Sequence, residues 1–276
     1  MVNVDTTVNW REFACGWGAA FISVVITYPI NKLIFRQMLH GVKATDAIIQ
    51  LRQEGAWYLY RGILPPLFQK TLSFAMMYGV YEEVRRRLMK DGEDTNMSKA
   101  AAASFAGLSE LLMVPMGRIQ TLLQDRQFHK TFKNTFHAIA VVRTYGFTEY
   151  YRGLVPIACR NIPCNVIFFN LRDILKDDEF VNKSKAHKLA LEFFSGAVLG
   201  ALLSTFFHPV NVVKVKVQSK LGVGFENPIK VLVETYREGG NSLSRVYMGM
   251  WANCLRAALS WGLMNCGYAF LKNLLY

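Results

Sequence analysis

Charge is what this chain has least of. Asp, Glu, Lys and Arg make up only 19% of its 276 residues, where a soluble domain averages roughly 25%. Its five cysteines are an odd number, scattered, with no Cys-x-x-Cys. That excludes a disulfide scaffold and a cysteine zinc site. No P-loop, no Gly-x-Gly-x-x-Gly and no His-Glu-x-x-His occurs, so the sequence carries no catalytic motif, and no metal and no cofactor is expected. Residues 1–10 lack a basic n-region and an Arg/Ser-rich transit pattern, so any organelle address is expected to be internal. Disorder is excluded too, because 52% of the residues are hydrophobic.

The few charges are unevenly placed. Stretches 13–30, 62–81, 100–117, 153–171, 193–210 and 249–271 hold none or one each. At ~1.5 Å per residue each is about long enough to cross a bilayer core. Six buried helices of a soluble protein are the plainer alternative, but such helices need a polar face and these have almost none. Six membrane helices are therefore expected.

The connecting segments alternate in charge. Segments 82–99 and 172–192 each balance five basic against five acidic residues. Segments 36–61, 118–152 and 214–245 together carry sixteen basic and seven acidic residues, most of the net charge of +12. The positive-inside bias predicts these three on the inner side and both termini on the outer side. An excess shared among three separate loops also argues against nucleic acid as partner.

A threefold repeat runs through the chain. Tyr28-Pro29-Ile30-Asn31, Val114-Pro115-Met116-Gly117 and His208-Pro209-Val210-Asn211 end the odd stretches. Downstream come Glu54-Gly55 then Tyr60-Arg61-Gly62, Tyr145-Gly146 then Tyr151-Arg152-Gly153, and Glu238-Gly239 then Tyr247-Met248-Gly249. The last unit has three extra residues. Each unit reads as a helix with a proline near its inner end, a short amphipathic helix, and a glycine-started helix. Repeats of 1–91, 92–180 and 181–276 follow. Proline removes a helix donor and crowds the preceding turn, so three kinks at matching depth are expected. The glycines Gly62, Gly153 and Gly249 leave helix N–H groups open, a place for lipid phosphate.

This threefold unit resembles, across essentially the whole chain, the mitochondrial carrier family, whose signature is Pro-x-[Asp/Glu]-x-x-[Lys/Arg], then [Asp/Glu]-Gly-x4-[aromatic]-[Lys/Arg]-Gly, three times over. Within it, Tyr60 to Leu67, Gln69-Lys70-Thr71, Thr121 to Asp125, Glu149 to Pro156 and Ser260-Trp261-Gly262 are similar to the NAD-transporting members. The resemblance implies an all-α membrane protein. Its six transmembrane helices form three pseudo-symmetric repeats around a central cavity, with three short matrix-side helices. It further implies the inner mitochondrial membrane, alternating access, cardiolipin at Gly62, Gly153 and Gly249, and function as a monomer.

The family's inner gate pairs an acid two residues after each proline with a base five after. Here those positions are Asn31 and Ile34, Gly117 and Gln120, Asn211 and Lys214. No acid is present, so no ion-pair ring forms; Gln124 and Gln218 remain as polar braces, with Met38 in the third place. The outer gate falls on Glu82 and Arg85, Asp173 and Lys176, and Ala269 and Lys272. Two acids and three bases make at most two bridges, unless these are ordinary helix i,i+3 pairs.

Charges at membrane depth are expensive and must face water or a partner. Seven residues after the repeat glycines stand Gln69, Arg160 and Arg256, and next to them Lys70, Asn161 and Ala257. The three even helices thus present polar groups at one depth, on the family's substrate-contact positions. Glu110, five residues before Pro115, is matched by Val24 and Ser204 and is the single acid of the cavity. Planar arginine forks suit phosphate oxygens and lysine adds a point charge. Lys70, Arg160 and Arg256 are expected to hold a pyrophosphate. Glu110 either faces a cationic nicotinamide ring or ribose hydroxyl, or pairs with Lys70 or Arg160. The expected activity is NAD import without catalysis. The alternatives are another phosphorylated nucleotide or cofactor, such as coenzyme A or an adenine nucleotide, or a lipid- or partner-binding membrane protein that transports nothing.

Overall fold

The computed structural model describes residues 10–88, 96–177, 198 and 200–275, and among these no strand occurs. The first repeat holds α1 (Trp10–His40), α2 (Ala44–Glu54) and α3 (Leu64–Leu88). The second holds α4 (Asn96–Ser109), α5 (Val114–Gln124), α6 (Thr135–Thr144) and α7 (Leu154–Asp177). A helical stretch over 200–206 leads into α8 (His208–Ser219), followed by α9 (Pro228–Glu238) and α10 (Met250–Leu275). Among the described residues two segments, Gly16–His40 and Met97–Gln124, are long and apolar enough to cross a membrane by themselves.

The short helices α2, α6 and α9 stand at one end of the bundle, each after a proline-bearing helix. Local chemistry starts two of them. Asn134 Oδ1 accepts from the His137 N–H at 2.8 Å, and Asn227 Oδ1 from the Ile229 N–H at 2.9 Å, with Pro228 pre-set for the first turn of α9. The expected matching kinks are not equal. A 3-10 turn, Glu110–Met113, separates α4 from α5, and Phe207 interrupts the helix before Pro209, while α1 runs unbroken through Pro29.

Three arginines tie the repeats head to tail at the short-helix end. Arg61 donates to the Phe128, His129 and Phe132 carbonyls of the second repeat. Arg152 donates to the Val223 and Gly224 carbonyls of the third. Arg245 closes the ring onto the first, with bonds of 3.1, 3.4 and 3.0 Å to the Gln37, Met38 and Leu39 carbonyls at the end of α1. These carbonyls carry the negative end of the helix dipole, and of the three Gln37 alone also accepts a backbone bond, from the Gly41 N–H at 3.0 Å, so a guanidinium suits them. Met248 occupies the place that Arg61 and Arg152 hold in their repeats; Arg245, three residues earlier, makes the same kind of clasp.

Ion pairs reinforce the same end. Arg36 bonds Glu54, and Lys216 bonds Glu238 at 2.5 Å; both join the seventh residue after the proline to the acid before the glycine. In the second repeat those places hold Leu122 and Tyr145. There, buried Glu149 takes Arg118 at 3.1 Å and Arg152 at 2.5 Å instead. The first and last helices also meet: Ser23 Oγ lies 2.8 Å from Ser260 Oγ, and Gly267 packs on Ala19.

Candidate functional site

A cavity of about 510 Å³ lies between the long helices, its wall including Glu110, Arg160, Asn161, Lys214 and Arg256. A neighbouring space of about 290 Å³ shares Glu110, Arg160, Asn161 and Lys214 with it and adds Gln69 and Lys70. The expected substrate residues Gln69, Lys70, Glu110, Arg160, Asn161 and Arg256 therefore all line one connected region. The threefold register explains this: residues seven and eight beyond each repeat glycine share a face and a depth. Gln69 and the Lys214 ammonium converge beside Gly117, where a Cβ would stand 3.8 and 3.9 Å from them, in ordinary contact.

Neutral groups hold Lys70, Arg160, Arg256 and Glu110 in place. Lys70 Nζ donates to Ser260 Oγ at 3.1 Å. Arg160 Nη1 donates to Asn211 Oδ1 at 3.0 Å. Arg256 donates through Nε and Nη2 to Asn253 Oδ1 at 3.3 and 2.9 Å, and Asn253 in turn donates to Ser204 Oγ at 2.6 Å. Glu110 accepts from Asn161 Nδ2 at 2.7 Å and from Asn165 Nδ2 at 3.3 Å. Among the described residues no ion pair joins Lys70, Arg160 or Arg256 to Glu110 or to any other acid. The groups are nonetheless near enough to feel one another: Arg256 with Lys70 and Arg160, and Arg160 with Glu110 and Lys214.

The residues at the inner-gate positions line the same cavity. Asn31, Ile34, Gln120, Asn211 and Lys214 are on the wall of the larger space, and Lys214 adds a cation beside Arg160. Nearer the short-helix end Gln124 Nε2 donates to Tyr28 Oη at 3.2 Å, and Gln218 accepts from Thr121 at 3.2 Å while donating to the Arg152 carbonyl. Met38 packs with Ile34 and Val212 in an apolar cluster. At the opposite end Glu82 is exposed, and the Arg85 guanidinium lies over the Tyr81 ring at 5.9 Å. The side chains of Asp173, Lys176 and Lys272 lie outside the described residues. Tyr81 stacks on Phe169 with 3.7 Å between centroids, joining α3 to α7.

Gly62, Gly153 and Gly249 have φ of 83, 85 and 90°, values that favour glycine. Each is buried against the following repeat, or for Gly249 the first one: a Cβ would come within 2.9 Å of Leu123, 2.8 Å of Gln218 and 3.2 Å of Gln37. Spacing alone did not single out Asn165, Asn253, Ser204 and Ser260, which orient the charges. Asn165 stands one helical turn from Asn161 and Asn253 one turn before Arg256, signals that were present; Ser204 and Ser260 face their partners across helices, which no spacing reveals.

A ring of three repeats around a cavity whose charges have only neutral partners is the build of a solute carrier. The chain belongs to the mitochondrial carrier family. The family model described as mitochondrial carrier protein matches residues 5–92, 92–178 and 185–276. The chain is 42% identical over 270 residues, 98% of its length and 91% of the relative's, to the mitochondrial nicotinamide adenine dinucleotide transporter SLC25A51 of Homo sapiens. It is 42% identical to SLC25A52 of Homo sapiens, which bears the same description, over 98% of this chain and 91% of that one. It is 30% identical to solute carrier family 25 member 53 of Homo sapiens, over 96% and 88%. The protein is thus a mitochondrial membrane carrier and not an enzyme.

Proposed function

We propose that this carrier moves NAD into the mitochondrial matrix. Six transmembrane helices in three repeats (1–91, 92–180, 181–276) cross the inner membrane, with the short helices on the matrix side and both termini toward the intermembrane space. The protein works as a monomer by alternating access. The outer gate uses Glu82, Arg85, Asp173, Lys176 and Lys272. The inner gate lacks an ion-pair ring and relies on Asn31, Gln120, Gln124, Asn211, Lys214 and Gln218. Cardiolipin phosphates dock at the helix starts after Gly62, Gly153 and Gly249. The first of these sites is the poorest in donors, because Pro65 and Pro66 have no N–H.

One observation supports this reading above the others: Lys70, Arg160, Arg256 and Glu110 reach the cavity without neutralising one another. A charge held out of water at membrane depth costs several kcal/mol unless a partner arrives. A dinucleotide supplies partners of both signs. Its pyrophosphate takes Lys70, Arg160 and Arg256, and its cationic ring takes Glu110. Cation count alone suits other nucleotides as well; Glu110 and the two relatives named as NAD transporters favour NAD.

The test is uptake of labelled NAD by liposomes holding the pure protein. Saturable uptake is expected, and Arg160→Ala or Arg256→Ala should cut it at least tenfold, roughly the contribution of one charge-assisted bond. If ATP or coenzyme A competes better than NAD, the substrate is another nucleotide; if no solute enters, the carrier reading of this cavity is wrong.

A further inference from the structure

Glu110 opens the 3-10 turn Glu110–Met113 between α4 and α5, where the regular helical ladder is interrupted. A carboxylate on such a turn is not aimed by its own helix. The aim comes from α7. Asn161 Nδ2 takes Oε2 at 2.7 Å and Asn165 Nδ2 takes Oε1 at 3.3 Å. Asn165 also donates to the Asn161 carbonyl at 2.9 Å, so one buried amide group fixes both the acid and its second partner. An ionised carboxylate only accepts, so the NH2 end of each amide must face it. One turn before Glu110, Gly107 lies on the backbone of α7: a Cβ there would meet the Asn161 oxygen at 3.0 Å and the Ile162 Cα at 2.9 Å. The two helices are in backbone contact beside the acid and have little room to shift.

Arg160 is the neighbour that would otherwise capture Glu110. It precedes Asn161 in the chain, and the two charges interact. Yet Arg160 is turned to Asn211 Oδ1 at 3.0 Å. Direct pairing would leave neither group for a ligand. We propose that Asn165 is a positioning residue: through Glu110 it keeps the cavity's acid oriented and apart from Arg160, so that acid and base can each bind a different part of the solute. This rests on the transport reading and deepens it, since Asn165, buried at the wall of the larger cavity, is given a role through Glu110 in how the solute is held.

The test is a double-mutant cycle on uptake kinetics in liposomes. Asn165→Leu is expected to raise KM about tenfold, as for one hydrogen bond to a charged group, with little change in the maximal rate or the melting midpoint. In a Glu110→Gln background the same substitution should change KM by less than about twofold, because no carboxylate remains to be oriented. Asn165→Gln, which keeps an amide, should recover most of the loss. Should Asn165→Leu not fold, Asn165→Asp keeps the size, replaces the donor with a second carboxylate, and should raise KM likewise. An Asn165 effect that persists in full in the Glu110→Gln background overturns the proposal, as does an unchanged KM. The cycle is run with whichever of NAD, ATP or coenzyme A the wild-type protein takes up. A wrong substrate is then read in the wild type, and a wrong role for Asn165 in the cycle. A wild type that takes up none of the three overturns both.

Discussion

The short-helix end and the mid-depth cavity use the same residue types in opposite ways. At the short-helix end arginines are spent on the protein itself. Arg36, Arg118 and Arg152 face carboxylates, Arg61 faces carbonyls, and Arg245 faces carbonyls and, at 3.7 Å, the Glu238 carboxylate. In the cavity Arg160 and Arg256 meet only amide oxygens, and Lys70 only a hydroxyl. The clearest difference is counter-charge: Arg36, Arg118 and Arg152 are buried beside acids, whereas Lys70, Arg160 and Arg256 are half-buried on the cavity wall and have none. Where acids accompany the arginines, the charges hold repeats together. Where they do not, the unmet field is left for a ligand.

Removing an acid from the short-helix end should break that contrast most severely. Glu149→Gln leaves Arg118 and Arg152 without their counter-charge, both with side chains at most 1% exposed. Breaking a buried pair in this way costs about 3–5 kcal/mol, so a large drop in the melting midpoint in detergent is expected. Arg118→Met should cost less, because Arg152 keeps Glu149 paired. In the cavity Arg160→Met and Arg256→Met should leave the melting midpoint unchanged or raised, since a repelling charge is removed. Equal destabilisation at the two regions would refute the comparison.

Arg245 offers a finer test. If its bonds to the end of α1 stand in for the basic residue missing at Met248, Arg245→Ala should destabilise by about 1–2 kcal/mol, the range for a cation at a helix C-terminus. Adding Met248→Arg should restore part of that, by rebuilding the arrangement of Arg61 and Arg152. A Met248→Arg substitution that gives no recovery would leave Arg245 as a local cap with no share in the ring of clasps.

These two regions also mark how far the sequence could be read. The helices, their order and the common depth of Lys70, Arg160 and Arg256 were legible because proline, glycine and aromatic-basic motifs are local and recur three times. Arg245 was not, because three extra residues shift the third repeat and put the arginine three places before Met248, outside the aromatic-basic-glycine motif. The unequal kinks were not legible either. Pro29, Pro115 and Pro209 give one signal, while the break before each depends on neighbours from other helices. Glu110 was legible as the lone acid, but its partners were not: the choice among Lys70, Arg160 and the two asparagines is a matter of geometry across α4 and α7. The inner gate was readable as a deficit, Asn31, Gly117 and Asn211 in place of acids, with Gln124 and Gln218 left as polar braces. Their partners, Tyr28 for Gln124 and Thr121 for Gln218, required coordinates.

The smallest expected effect is a pH dependence confined to the short-helix end. The His129 ring stacks on Tyr58 with 4.7 Å between centroids, and its Nε2 has no partner among the described residues. Burial pushes its pKa down to about 4, with the nearby Lys32 charge adding to the effect and Glu54 opposing it. Arg61 and Arg36 face the ring as well and push the same way. The folded protein therefore holds His129 neutral where the unfolded chain, with a pKa of roughly 6.5, takes up a proton. Stability from this residue is complete above about pH 6.5 and is lost as pH falls from there toward about 4. His129→Gln should flatten part of the fall in melting midpoint between pH 7 and about 4.5 and leave the neutral-pH midpoint nearly unchanged. Cavity variants such as Arg256→Met should not alter that slope, because His129 lies at the other region. A slope that follows the cavity substitution instead would mean that the two regions titrate as one unit.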